Sequence, residues 1–169
     1  MAETLAYFLT AHTYGSRLHG DSEGSVDAEH AVPGTPTYRR NDARARFERS
    51  LMTQPAMSFG AAERRCVQEK IAAVCAYRGW SLTALHVRTT HLHAVVVADG
   101  TTPERVLNDF KSYATRGLRE AGRVGPEGKV WSRHGSTKYV STQASLRRVI
   151  EYVVEGQGDP LDPPPICNL

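Results

Sequence analysis

The chain has little with which to cross-link itself. Its three cysteines, Cys66, Cys75 and Cys167, are an odd number without a CxxC spacing. Neither a disulfide framework nor a zinc knuckle follows, and a reducing, cytoplasmic compartment is expected. Long apolar runs are also missing: none approaches the roughly 20 residues that a membrane-spanning helix needs, so no membrane partner is expected. The opening MAETLAYFLTAHTYG carries Glu3 and no basic stretch, which does not read as a secretory leader. Internal repeats are absent, and lysine is scarce. Of 21 basic residues 17 are arginine, whose planar fork suits phosphate better than an ammonium does.

What is present is a charge asymmetry. The formal net charge is only +3, yet Thr101 to Ile150 holds ten Lys or Arg against four Asp or Glu. A basic half of this kind points to a polyanionic partner, although a solvated basic face would look the same by charge alone.

The pattern of apolar residues divides the chain into short elements. Leu5 to Tyr14 is rich in β-formers and stops at Gly15, so it reads as a strand. From about 15 to 59 Gly, Pro, Asp and Ser recur; this is a long loop, with room for a short helix over Arg44 to Met52. Val67, Ile71, Val74 and Cys75 lie at helical spacing and predict a helix from Ala61 to Arg78, closed by Gly79. Two strands follow, Trp80 to Val87 and Thr90 to Ala98. Thr102, Pro103 and Glu104 are an N-cap, a first helical position and an acidic first turn. The helix they open places Leu107, Phe110, Ala114 and Leu118 on one face. Lys129 to Val140 is strand-like with a bend at Gly135, and Ser145 to Glu155 is a helix stopped by Gly156 and Gly158. The order β-α-β-β-α-β with an added C-terminal helix predicts an α+β, ferredoxin-like fold: an antiparallel sheet with helices on one face. One domain over 1–158 is expected, followed by a tail, 159–169, too proline-rich to be regular.

The residues with most chemical content are His91-Leu92-His93 at the start of an apolar strand. Alternation sends both imidazoles to one face, roughly 7 Å apart at Cα, where they can converge on a divalent ion. Two ligands leave positions open for phosphate oxygens, as Lewis-acid catalysis of phosphoryl transfer requires. Taken alone, two strand histidines are also what a capped sheet edge would show. In the last helix Leu146, Val149, Ile150 and Val153 form an apolar stripe, and Tyr152 lies off it, near Arg148 and Glu155. Such a tyrosine is displayed, whether as a nucleophile that Arg148 helps to deprotonate or as an ordinary surface residue. Lys111, Arg116, Arg119, Arg133, Lys138 and Arg148 are candidate phosphate contacts. Arg39 and Arg40 beside Tyr38 form a further basic and aromatic group. His12, His19 and His86 read as structural or incidental, while His134 adjoins Gly135 in a segment near the candidate active face.

Several blocks in this order resemble the IS200-like transposases, in particular their REP-associated tyrosine branch. They are YFLTAHTYGSRLHGDSEGSVD, the HLH strand of the HUH nucleases, RVLNDFKSYATRGL, VWSRHGSTKYV and RRVIEYVVEGQG, and together they cover about residues 5 to 158. The resemblance implies a single-strand DNA transesterase that uses Mg²⁺ or Mn²⁺. Tyr152 matches the attacking residue that forms a 5′-phosphotyrosine link on hairpin-flanked DNA, with Tyr139 as the alternative and Tyr113 a distant third. It also implies a homodimer, in which the tyrosine helix can serve either chain, and a third metal ligand one turn beyond the tyrosine. Gly156 stands at that position here, so the role passes to Gln157 or to Glu155. A relative that binds hairpin or single-stranded DNA without cutting it is the competing reading, and an unrelated ferredoxin-like domain a weaker one. The convergence of His91, His93 and Tyr152 discriminates among them.

Overall fold

In the computed structural model, which describes residues 3–18 and 40–169, the chain runs β1 (Ala6–Thr13), α1 (Asp42–Ser50), α2 (Ala61–Arg78), β2 (Ser81–Val87) and β3 (His91–Val97). It continues through α3 (Pro103–Glu120), β4 (Trp131–Val140), α4 (Gln143–Val154) and β5 (Ile166–Cys167). His19, Tyr38 and Arg39 lie outside the described residues.

The strands form one antiparallel sheet in the order β4-β1-β3-β2-β5. Its first four strands have the ferredoxin-like arrangement that the element order predicts, and the fold class is α+β. Helix ends follow local chemistry. Thr102 caps α3 by accepting from the Arg105 N–H, with Pro103 in the first turn, and Thr142 caps α4 by accepting from Ser145.

The helices do not all share one face, as the sequence pattern had suggested. Helices α2 and α3 cover the face built by Leu9, Ala11, Leu92, Ala94 and Val96. Helix α4 covers the other, where Ile150 and Val153 pack with Ala6, Ala84, Val95 and Val140. The reason lies in β3, which is apolar on both sides: Leu92, Ala94 and Val96 alternate with Val95 and Val97. A strand of that kind must be covered twice.

Two irregularities matter for the site. The pairing of β1 with β4 shifts register between Ala11 and Thr13, so residues 132–134 bulge opposite His12. Gly135 follows the bulge because a β-carbon there would come within 2.6 Å of both the Thr10 carbonyl oxygen and Leu107 Cδ2. The tail also departs from expectation. Pro163, Pro164 and Pro165 have no N–H to donate, but once they are passed Ile166 and Cys167 pair with β2 at the sheet edge. Buried Arg64 holds the same tail: its guanidinium donates to the Asp162 carbonyl at 2.8 and 3.1 Å and to the Phe59 carbonyl at 2.8 Å.

Candidate active site

Strand alternation and register bring four histidines to the α4 face of the sheet. His91 and His93 both project there from β3. His12 on β1 is the direct partner of His91, and His86 on β2 is the direct partner of His93. The rings of His91 and His93 have centroids 5.0 Å apart, and those of His12 and His91 lie 5.7 Å apart. His12 and His86, structural or incidental by sequence alone, become neighbours of the HLH pair through strand pairing. The signal that could have found them is parity. His12 and Thr10 share one face of β1, and the register then decides what they meet.

Each imidazole is oriented. His93 is buried between Thr10, whose Oγ1 lies 2.8 Å from its Nδ1, and Phe8, whose ring stacks on it at 5.5 Å. In the tautomer whose Nδ1–H donates to Thr10 Oγ1, the lone pair of His93 stands on Nε2. His91 Nε2 lies 3.3 Å from Oε1 of Gln157. The Gln157 amide is held in turn, because its Nε2 donates to the Tyr152 carbonyl at 3.0 Å. His86 Nδ1 is 2.9 Å from the Val153 carbonyl oxygen, and its buried Nε2 has no partner.

Burial, then the neighbouring His91, His12 and His86, pushes the His93 pKa down to about 3. Burial, then Arg17, His91 and Lys111, takes His12 down to about 4, and Arg17 Nη1 lies 3.3 Å from the His12 ring. These rings are neutral at physiological pH, the form that ligates metals.

Tyr152 projects from α4 onto this group. Its ring meets His93 edge-on at 5.3 Å and Phe8 at 6.1 Å, yet the residue stays 46% exposed. Histidines and tyrosine therefore meet within one chain. Tyr139 goes elsewhere: it pairs with Tyr7, touches that ring at 5.3 Å, and lies on the α3 face with Thr137, whose hydroxyl donates to Glu104. Tyr113 is half-buried against the α2/α3 core beneath the Arg116 guanidinium.

The donor set suits a hard or borderline divalent ion: two imidazoles and an amide oxygen. The 3.3 Å between His91 Nε2 and Gln157 Oε1 is near the edge of an octahedral shell, about 3 Å for bonds of about 2.1 Å. Among the described residues no three His, Cys, Asp or Glu side chains converge as a metal cage. Glu155 is exposed at the end of α4, and of the two candidates it is Gln157 that the fold brings beside His91.

The basic candidates separate into two groups. Lys138 is the strand partner of Phe8 and so shares the site's face, and Arg148 is exposed one turn before Tyr152. Arg116 and Arg119 are exposed on α3, across the sheet; Arg116 shares a shallow cleft with Lys70 and Tyr77, and Arg119 one with Thr115 and Glu120. Arg133 and His134 are exposed in the β4 bulge. Lys111 is committed to structure: its ammonium donates to the Ser132 and His134 carbonyls at 3.0 and 3.1 Å, and burial lowers its pKa. Arg40 is engaged with Asp42 at 2.8 Å. No described helix is long and apolar enough to cross a membrane.

No protein-family model and no curated protein matches the sequence. Among solved structures, a crystal structure of a candidate transposase from Deinococcus radiodurans is similar at TM-score 0.47 and 11% identity, over 90% of this chain and 91% of that one. A REP-associated tyrosine transposase bound to a REP hairpin is similar at TM-score 0.52 and 11% identity, over 92% of this chain and 68% of that one. The α+β fold of this chain is thus the fold seen in a REP-associated tyrosine transposase.

Proposed function

We propose that the protein is a DNA-processing enzyme of the single-tyrosine transposase type, a metal-dependent transesterase acting on hairpin-flanked single-stranded DNA. One observation carries this reading: the Tyr152 ring lies 5.3 Å from that of His93, beside His91 and Gln157, in the same chain. In this reading the Tyr152 oxygen attacks the scissile phosphorus and loses its proton. The bond to the 3′ oxygen breaks, that oxygen leaves as a hydroxyl, and the 5′ phosphate stays on the tyrosine. His91, His93 and Gln157 would hold Mg²⁺ or Mn²⁺, which supplies Lewis-acid polarisation of the phosphate. Phe8 and Thr10 fix the His93 ring from two sides, so that its free nitrogen keeps one direction. Lys138 and Arg148 lie where an incoming backbone would need cations. A homodimer is proposed on the family resemblance, although one chain by itself assembles the tyrosine and the histidines.

The test is a covalent adduct. Wild-type protein with a REP-type hairpin and Mn²⁺ should give a species that survives denaturing electrophoresis. Tyr152→Phe should abolish it at unchanged stability, and His91→Ala or His93→Ala should reduce it by at least about 100-fold. Tyr139→Phe and Tyr113→Phe should retain it. Hairpin binding with no adduct under any condition would select the non-cleaving binder instead.

A further inference from the structure

We propose that His86 is a positioning residue for the tyrosine helix: its bond to the Val153 carbonyl sets the last turn of α4 over β3, and so holds Tyr152 against His93 and Gln157 against His91. The proposal rests on the reading of Tyr152 and the histidines given above.

The need for such a bond comes from where α4 ends. Its backbone ladder closes with the Glu155 N–H on the Glu151 carbonyl and the Gly156 N–H on the Tyr152 carbonyl. Val153 has the next carbonyl, the first that a continuing helix would have satisfied and this one does not. His86 reaches it from the sheet below, at 2.9 Å through Nδ1. One residue earlier the Tyr152 carbonyl also accepts from the Gln157 side chain at 3.0 Å. Two side chains therefore close the helix end, one from its own chain end and one from β2. The turn they fix carries the tyrosine ring and the amide oxygen that faces His91.

Packing alone does not account for a histidine at this place. His86 is 3% exposed, and its Nε2 lone pair has no donor. A buried acceptor without a partner is unfavourable, and a leucine of similar size would avoid it. What histidine supplies and leucine lacks is the N–H at the δ position. His86 also stands directly across the β2–β3 pair from His93. The same strand register thus fixes both the anchor under the helix and the ring that the helix presents its tyrosine to.

Three substitutions separate the bond from the volume. Asn keeps an N–H near the δ position, Gln moves it to the ε position, and Leu removes it. With saturating hairpin and Mn²⁺, His86→Leu and His86→Gln should slow adduct formation by about 10- to 100-fold, because a shift of about 1 Å in a reacting group suffices. His86→Asn should recover most of the rate, and hairpin affinity should stay at the wild-type value in all three. In parallel, hydrogen exchange at the Glu155 and Gly156 amides should quicken in the Leu and Gln variants and not in Asn. Wild-type rates in all three variants would overturn the positioning role and leave the phosphotyrosine reading standing. An Asn variant as slow as Leu would overturn it too, since shape rather than the N–H would then be the requirement. If the wild-type chain forms no adduct, the exchange measurement still decides the anchor: unchanged exchange in Leu and Gln overturns it, and faster exchange upholds it.

Discussion

A β-carbon on Gly156 would lie 2.8 Å from the Tyr152 carbonyl oxygen and 3.0 Å from Cδ2 of the Tyr152 ring. Both distances are too short for an ordinary contact, and one of the two atoms is backbone, which cannot swing aside. Gly156 occupies the place where the family resemblance puts a metal ligand. Its lack of a side chain is what lets the tyrosine ring lie back toward His93 while the chain turns to deliver Gln157. Gly156→Ala should therefore displace the ring and slow adduct formation by about 10-fold or more, with hairpin affinity unchanged. A wild-type rate in single-turnover measurements would mean that the ring does not need this position.

At the scale of elements, three adjacent strands set His12, His91, His93 and His86 side by side on one face. This has a consequence for stability. Unfolded imidazoles take up protons near pH 6.5. In the folded chain burial and neighbouring positive groups hold His93 to about 3 and His12 to about 4. Between those limits the unfolded state binds more protons than the folded one, so stability falls as pH falls. The urea midpoint should be level above about pH 7 and decline from about pH 6.5 toward 5, before most carboxylates titrate. The decline should flatten in a His12→Asn, His93→Asn double variant. A midpoint that stays level down to pH 5 would contradict the burial of these rings.

For the whole molecule, the basic excess between Thr101 and Ile150 is not one groove. Lys138 and Arg148 belong to the tyrosine's side of the sheet, Arg116 and Arg119 to the other, and Lys111 to the interior of the α3–β4 junction. Salt dependence of single-strand binding separates these roles, since each phosphate contact contributes a slope of about 0.7. Replacing Lys138 and Arg148 together by Ala should lower the slope by about 1.4. Lys111→Met should leave the slope unchanged and instead lower thermal stability, because two β4 carbonyls lose their donor. A slope that falls in Lys111→Met would return that lysine to the DNA interface.

The sequence by itself determined the element order as far as α4, the cap at Thr102, the placement of His91 and His93 on one strand face and the displacement of Tyr152 from the apolar stripe. All of these are set by periodicity and by chemistry within a few residues. Only the tertiary structure decided what those faces meet. Which side of the sheet α4 covers, that His12 and His86 join the HLH pair, that Tyr139 turns away and that Lys111 is occupied all depend on strand register between residues far apart in the chain. A run of three prolines reads as irregular in isolation, but the Arg64 clamp and the β2 edge turn the tail into a fifth strand. Hydrogen bonds between distant segments have no local signature, because the donor and acceptor become neighbours only once the core has closed between them.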